Sequence, residues 1–455
     1  MKTKTRYLFA LIGALALIAA ACGTDDADPA TTVAPATTAA TGATTAAPTT
    51  TVAATTTTIE EMTPPEPGPL GQVVVEAGES IQIRSLNVIT GPDATLGIPN
   101  QRAVELAIGD FGQIMGHDVA MGTGLDDLCS AEGGQAGGQA VVADKSVVGV
   151  IGTSCSGAAA SASPLISAAG YVMISPSNTS PSLTSDLVGN AGSNYNEGYY
   201  RTAHNDLYQG EAVAQFVYNE LGLRVAAAVH DGDPYTDGLA TAFSDAFQKL
   251  GGTISVYTAV NKGDTDMAAV LTEVAAGEPE AMFFPIFIAE GTAIATQIGG
   301  ISGLEDTVLI AADGLISPQF MSLPESEGIY HSGPDLRYGE NGNAHTDQTA
   351  DGFLAAYQAA YGEAPSAPFW AHAYDATTML LTAIQTVGVD VDGTLYIDRQ
   401  ELRDELNSTS FDGIIGSITC DAFGDCGAQR VTIVLNNNTS DFEAATSNVV
   451  YSFAP

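Results

Sequence analysis

From residue 78 onward, short β-branched runs alternate with stretches whose apolar residues recur every three or four positions, and this alternation restricts the chain to α/β architectures. A strand that repeatedly feeds a helix builds a parallel sheet. Residues 81–89 read as the first strand, broken by Thr90-Gly91-Pro92. Pro99 lies near a helix start, after which Ala103, Val104, Ala107, Ile108 and Phe111 share one face. Residues 147–151 form a second strand, followed by an alanine-rich helix around 157–169 and a strand at 172–174 stopped by Pro176.

A second series begins near Asn205, with a helix over 210–221 and a strand over 224–229. Leu239, Phe243, Phe247 and Leu250 then line one face of a helix, and residues 253–259 are extended. Asp264 and Thr265 are placed to cap a helix through Val274, and strands at 281–287 and 308–311 flank a helix from Glu290. Helices return at 352–361 and 369–387, and short strands at 416–419, 430–435 and 449–453. Trp370 and Tyr374 lie at helical spacing, as core residues do. Two α/β lobes accommodate this order better than one large sheet, and a chain of 455 residues has length for both.

The N-terminus sets the compartment. Lys2, Lys4 and Arg6 precede an apolar run that closes on Ala19-Ala20-Ala21-Cys22-Gly23, so residues 1–21 read as a signal peptide. Small residues directly before a cysteine resemble the bacterial lipobox, which implies that Cys22 carries a lipid and anchors the exported protein to the outer face of the cytoplasmic membrane. Residues 22–71 are nearly all Thr, Ala, Pro and Gly, with no apolar periodicity from which to build a core, and read as a tether. Setting Cys22 aside leaves Cys129, Cys155, Cys420 and Cys426, an even number in an oxidising compartment. Cys420 and Cys426 are spaced for a local clip, which pairs Cys129 with Cys155. No Cys-x-x-Cys occurs and the histidines are scattered, so no metal or other cofactor is expected. Lys and Arg number 14 against 53 Asp and Glu, a net charge of −39 that excludes a phosphate-binding nucleic-acid surface.

Open α/β sheets bind ligands beyond the carboxyl ends of their strands. Those ends carry Ser154-Cys155-Ser156-Gly157, Ser177-Asn178-Thr179, His230-Asp231 with Tyr235, and Asp313-Gly314. Ser156 and Thr179 fall where helix starts leave backbone N–H groups unpaired, a setting for a carboxylate, while Asp313 offers the opposite charge to an ammonium group. One pole of each sign is what a free amino acid requires. Ser154 or Ser156 with His230 and Asp231 also supplies hydroxyl, imidazole and carboxylate, but the Gly-x-Ser-x-Gly elbow of a hydrolase is missing, and no enzyme activity is expected.

On these residues the chain resembles the substrate-binding proteins of branched-chain amino-acid and amide ABC transporters, which have the two-lobed type 1 periplasmic-binding fold. The matching segments run in family order: Thr90-Gly91-Pro92, Asp126-Asp127-Leu128-Cys129, Gly152 to Ser156, Ile174 to Thr184, Arg201-Thr202, His230-Asp231 through Ala240, and Phe411 to Gly416. The resemblance implies a first lobe of residues 78–204 plus 333–416, a second of 205–332 plus 417–455, and three crossovers near Asn205, Ser332 and Gly416. It implies a ligand carboxylate on Ser156, Ser177 and Thr179, with Asn178 in the same loop, and a ring, Tyr235, that closes over the ligand. Asp313 would hold the ammonium, and Cys129 would pair with Cys155. Leu96 and Phe287 fall where leucine-binding members carry tyrosines, and Asp313 is one methylene shorter than their glutamate, so the pocket is recut. The expected function is capture of a small zwitterionic solute by a monomer that delivers it to a permease with its partner ATPase. A ligand-sensing co-receptor of the same fold, or a binder of amides, urea or aromatic acids, is the alternative.

Overall fold

The computed structural model describes residues 63–455, so the expected signal peptide, Cys22 and the expected tether up to residue 62 lie outside the described residues. No helix among the described residues is long and apolar enough to cross a membrane. Seven helices position the site: α1 (Ala94–Phe111), α2 (Ala131–Ala143), α3 (Ser156–Ala168), α4 (Asp206–Gln215), α5 (Pro234–Lys249), α6 (Ala268–Ala276) and α7 (Ile288–Ile298).

Two sheets carry the fold. The first has six strands, ordered Val119–Ala120, Ile81–Asn87, Val147–Gly152, Val172–Ser175, Tyr199–Arg201, with Leu125–Asp126 also on Ile81–Asn87. All its pairings are parallel. The second has seven, ordered Val449–Phe453, Val431–Leu435, Tyr330–Pro334, Val308–Ala311, Ala281–Phe283, Val225–His230, Thr253–Ala259, and only the pairings made by Val431–Leu435 are antiparallel. The order of the parallel strands reverses at the strand next to one edge of each sheet: at Ile81–Asn87 in the first sheet and at Val225–His230 in the second. These are the switch points where open sheets leave a crevice.

Trp370 and Tyr374 are core residues, as their spacing indicates; Trp370 stacks on Phe353 with ring centroids 4.6 Å apart. Both expected disulfides, Cys129–Cys155 and Cys420–Cys426, are present. Arg201, wholly buried, pairs with Asp425 and so ties the Cys420–Cys426 loop to the first sheet.

Several boundaries differ from the sequence expectation, each for a local reason. The first strand stops at Asn87 rather than 89, because Val88 N–H donates to Ser154 Oγ (3.2 Å) and Ile89 N–H to Asp126 Oδ1 (3.1 Å) instead of to the ladder. Helix α4 starts four residues before 210, because the Asn205 side chain accepts from Leu207 N–H at 3.0 Å and caps it. Asp264 closes a turn on Asn261 N–H (2.9 Å) instead of capping α6, which begins after Met267. The strand expected over 281–287 ends at Phe283, and Phe287 becomes the cap of α7.

The folded body also begins earlier than 78. Gly68 N–H donates to Asp398 Oδ2, and Gln72–Val75 pairs antiparallel with Thr394–Asp398, burying Val73 and Val75 in the first core. Ile418 and Cys426 lie in that same core, so the chain still packs with the first sheet as far as Cys426. Helix α2 escapes a pattern reading because four buried glycines depress its helix propensity. They allow α2 to press on α3, where a Cβ at Gly134 would stand 2.1 Å from the Ala158 carbonyl oxygen.

Candidate functional site

Six of the eight residues singled out in the sequence converge on one cleft between the sheets' carboxyl ends. Leu96, Ser156 and Ser177 face it from the first lobe, and Tyr235, Phe287 and Asp313 from the second. Ser154, Cys155, Gly314 and Phe369 complete the lining. The cleft holds about 360 Å³ of space between atoms, but only about 20 Å³ of it admits the centre of a water molecule. That is room for roughly one water, so the two walls stand close together.

The first-lobe wall is built by the turn after Val147–Gly152. Cys155 occupies the cap position of α3, but its sulfur is committed to Cys129 and makes no capping hydrogen bond, so the first turn of α3 begins at the cleft without the usual side-chain acceptor. Asp127, fully buried, holds this turn by accepting from Ser154 N–H (2.6 Å) and Cys129 N–H (2.7 Å); burial pushes its carboxyl up to about 7. Ser154 Oγ donates to Asn87 Oδ1 at 2.9 Å, and Ser177 Oγ donates to the Ser154 carbonyl at 3.1 Å. Ser156 Oγ accepts from Ser180 N–H at 3.4 Å, long enough to yield to a better partner.

The second-lobe wall centres on Asp313, just past Val308–Ala311 and only 5% exposed. Gln209 Nε2 donates to its Oδ1 at 2.8 Å and the Tyr235 hydroxyl donates to the same oxygen at 3.2 Å. Burial dominates both donors and raises the carboxyl to about 6. Tyr235 sits in the first turn of α5, its ring 5.4 Å from that of Phe287, and its hydroxyl accepts from Gly314 N–H at 3.2 Å. Asp313 is the one carboxylate among the lining residues, and no Lys or Arg lines the cleft. The walls therefore offer hydroxyls and a helix start on one side, an acid on the other, and apolar or aromatic surface between.

Two expected residues are elsewhere. Asn178 turns into the first lobe, where its Oδ1 accepts from Thr153 Oγ (3.2 Å) and the Tyr199 hydroxyl (3.1 Å). Thr179 is wholly buried behind the lining, its carbonyl accepting from Asp206 N–H at 3.0 Å while its Oγ has no partner. Serine hydroxyl and imidazole do not combine: His230 Nδ1 accepts from Gly232 N–H at 3.1 Å and its ring lies 4.9 Å from that of Tyr257.

Pattern reading missed Phe369, Gln209 and Asp206. Phe369 was hidden beside Trp370 at a helix start, and Gln209 carried no strand-end signal. Asp206 is fully buried with both carboxyl oxygens unpartnered, and burial together with Asp313 raises its pKa well above the ordinary range. A larger groove, with about 1930 Å³ of space between atoms, is lined by α4, α5 and the loop from Asp186 to Asn194, and it contains none of the cleft residues.

Two lobes that present opposite polarity across a closable cleft define a binding protein. Residues 80–434 match the sequence profile of the periplasmic binding proteins, and this chain belongs to that family. The chain is 30% identical over 248 residues to Leu/Ile/Val-binding protein homolog 3 of Brucella melitensis, a match spanning 53% of this chain and 64% of that one. Its fold is similar to that of a leucine-binding protein from Thermotoga maritima, with TM-score 0.68, 23% identity, and coverage of 82% of this chain and 99% of that one. It is also similar in fold to an ABC transporter solute-binding protein from R. palustris in complex with benzoate, with TM-score 0.64, 17% identity, and coverage of 83% and 98%.

Proposed function

We propose that this chain is the exported solute receptor of an ABC importer, held by lipid on Cys22 at the outer face of the cytoplasmic membrane. It captures an amino acid with an apolar side chain by lobe closure and hands it intact to a permease. One observation carries this reading: Ser156 and Ser177 on one lobe and Asp313 on the other face each other across a cleft with no other formal charge in its lining. A bound carboxylate meets the serine hydroxyls and the start of α3, whose dipole favours negative charge. The ammonium meets Asp313, whose ionised form it stabilises against burial. Leu96, Phe287 and Phe369 supply an apolar wall for the side chain. The family's Leu/Ile/Val-binding relative supports the same class of ligand. Binding energy drives closure, and no bond in the solute changes.

Aromatic acids form a second reading, favoured by the phenylalanines of the lining and by the benzoate-bound relative. Asp313 opposes it, since a ligand with a carboxylate alone leaves that acid buried without a cation. A thermal-shift panel of amino acids, amides, urea and aromatic acids separates the two, because a ligand of the native state raises the midpoint. Apolar amino acids should raise it. A shift with benzoate alone would replace the amino-acid reading with the second one.

A further inference from the structure

The cleft mouth contains a set of charges that the binding reading does not use. Asp93, at the cap position of α1 in the first lobe, reaches across to the start of α7, where its Oδ1 accepts from Ile288 N–H at 3.3 Å. Asp233, capping α5 in the second lobe by accepting from Tyr235 N–H (2.9 Å), lies against the start of α3 in the first. There a Cβ at Gly157 would stand 2.3 Å from its Oδ2. Each lobe thus lays an acid on the other lobe's helix N-terminus, where the dipole favours it.

Closure also gathers these acids near one another. Glu290 and Asp231 both face Asp93, and Asp231 faces Asp233, all repelling. Among the described residues, one cation offsets the charge on Asp93 and Asp233. Lys262, from the turn after Thr253–Ala259, attracts both Asp93 and Asp233, lies 5.0 Å from the Phe287 ring centroid, and donates across the gap to the Cys129 carbonyl. That carbonyl belongs to the disulfide loop, so the lysine's partner is fixed in place.

We propose that Lys262 is a positioning residue for closure: it locks the Cys129 loop to the second lobe and neutralises Asp93 and Asp233 as the lobes meet, thereby setting how long a solute is held. The inference rests on the reading that the cleft works by closing, and it concerns the closed state with or without solute. Without Lys262 the acids repel as they approach, and closure becomes dependent on their protonation.

The test measures the interlobe distance in the ligand-free full chain, using spin-labelled non-natural residues at the exposed positions Gln135 and Asp266. At pH 8, Lys262→Met should lower the closed-to-open ratio roughly three- to tenfold, an effect kept modest by the lysine's exposure. At pH 5, below the value of about 6 to which burial raises Asp233, the ratio should return toward that of the unaltered chain, and Lys262→Arg should restore it at pH 8. With L-leucine as probe, the dissociation rate of Lys262→Met at pH 8 should rise by the same factor while association is unchanged. An identical distance distribution in Lys262→Met at pH 8, or a shift that persists undiminished at pH 5, overturns the proposal. Failure of L-leucine to bind removes the solute assignment, while the ligand-free distances still decide for or against the latch.

Discussion

Gly157→Ala offers a perturbation that acts on the closed state alone. Gly157 is the second residue of α3, and its missing side chain faces the other lobe. A methyl there would approach Asp233 Oδ2 to 2.3 Å, Asp233 Cγ to 3.1 Å and Pro234 Cδ to 3.4 Å, where ordinary contact begins at 3.4 Å. The carboxylate must therefore give by about 1 Å, yet it is held in place as the cap of α5 through Tyr235 N–H. Overpacking of this kind costs about 1–3 kcal/mol, so affinity for any solute bound by closure should fall roughly five- to 150-fold. In the open state the methyl is free, and alanine favours the helix over glycine by up to about 1 kcal/mol. Ligand-free thermal stability should accordingly hold or rise while affinity drops. Calorimetric titration alongside thermal denaturation reads both. Adding Asp233→Ala should recover much of the affinity, since it removes the obstructing group. Unchanged affinity in Gly157→Ala, or an affinity loss matched by a fall in ligand-free stability, would refute the closure reasoning.

The remaining predictions concern stability. Burial raises Asp127 to about 7 and Asp233, Asp313 and Asp375 to about 6, so the folded protein holds protons that the unfolded chain releases near 3.8. Their contribution is complete below about pH 4 and is lost as pH rises through 6 to 7, so the ligand-free melting temperature should fall between pH 5 and pH 8; a rise over that window would contradict the assignment. A net charge of −39 adds self-repulsion, and raising salt at pH 8 should recover part of the loss, as scans in increasing sodium chloride would reveal. Replacing Cys129 and Cys155 together by serine should cost about 3 kcal/mol in chemical denaturation, given the sequence separation of 26, and an undiminished midpoint would remove the disulfide's structural role.

Local grammar made much of this protein legible. Strands such as Val172–Ser175 and Val308–Ala311 announce themselves by β-branched runs ending in turn residues, and the ends of those runs are where cleft residues belong. Ser177, Asn178 and Thr179 mark the limit of that reasoning. Successive residues leaving a strand point to different sides, so Ser177 reaches the cleft while Asn178 turns to Tyr199 and Thr179 is covered. Helix α2 is invisible to propensity because its glycines are selected for contact with α3. Phe369, Gln209, Asp93 and Lys262 acquire their places only when the lobes or distant segments meet, and no spacing in the chain encodes such a meeting.

The central claim is that Asp313 receives a bound ammonium in a cleft whose lining holds no other carboxylate. Calorimetric titration of the full chain and of Asp313→Ala with L-leucine and its apolar neighbours tests it most directly. The account predicts measurable binding in the unaltered chain and a loss of about 2–5 kcal/mol in the variant, as expected when a buried ammonium is left without its partner. Equal affinity in the two proteins would contradict it.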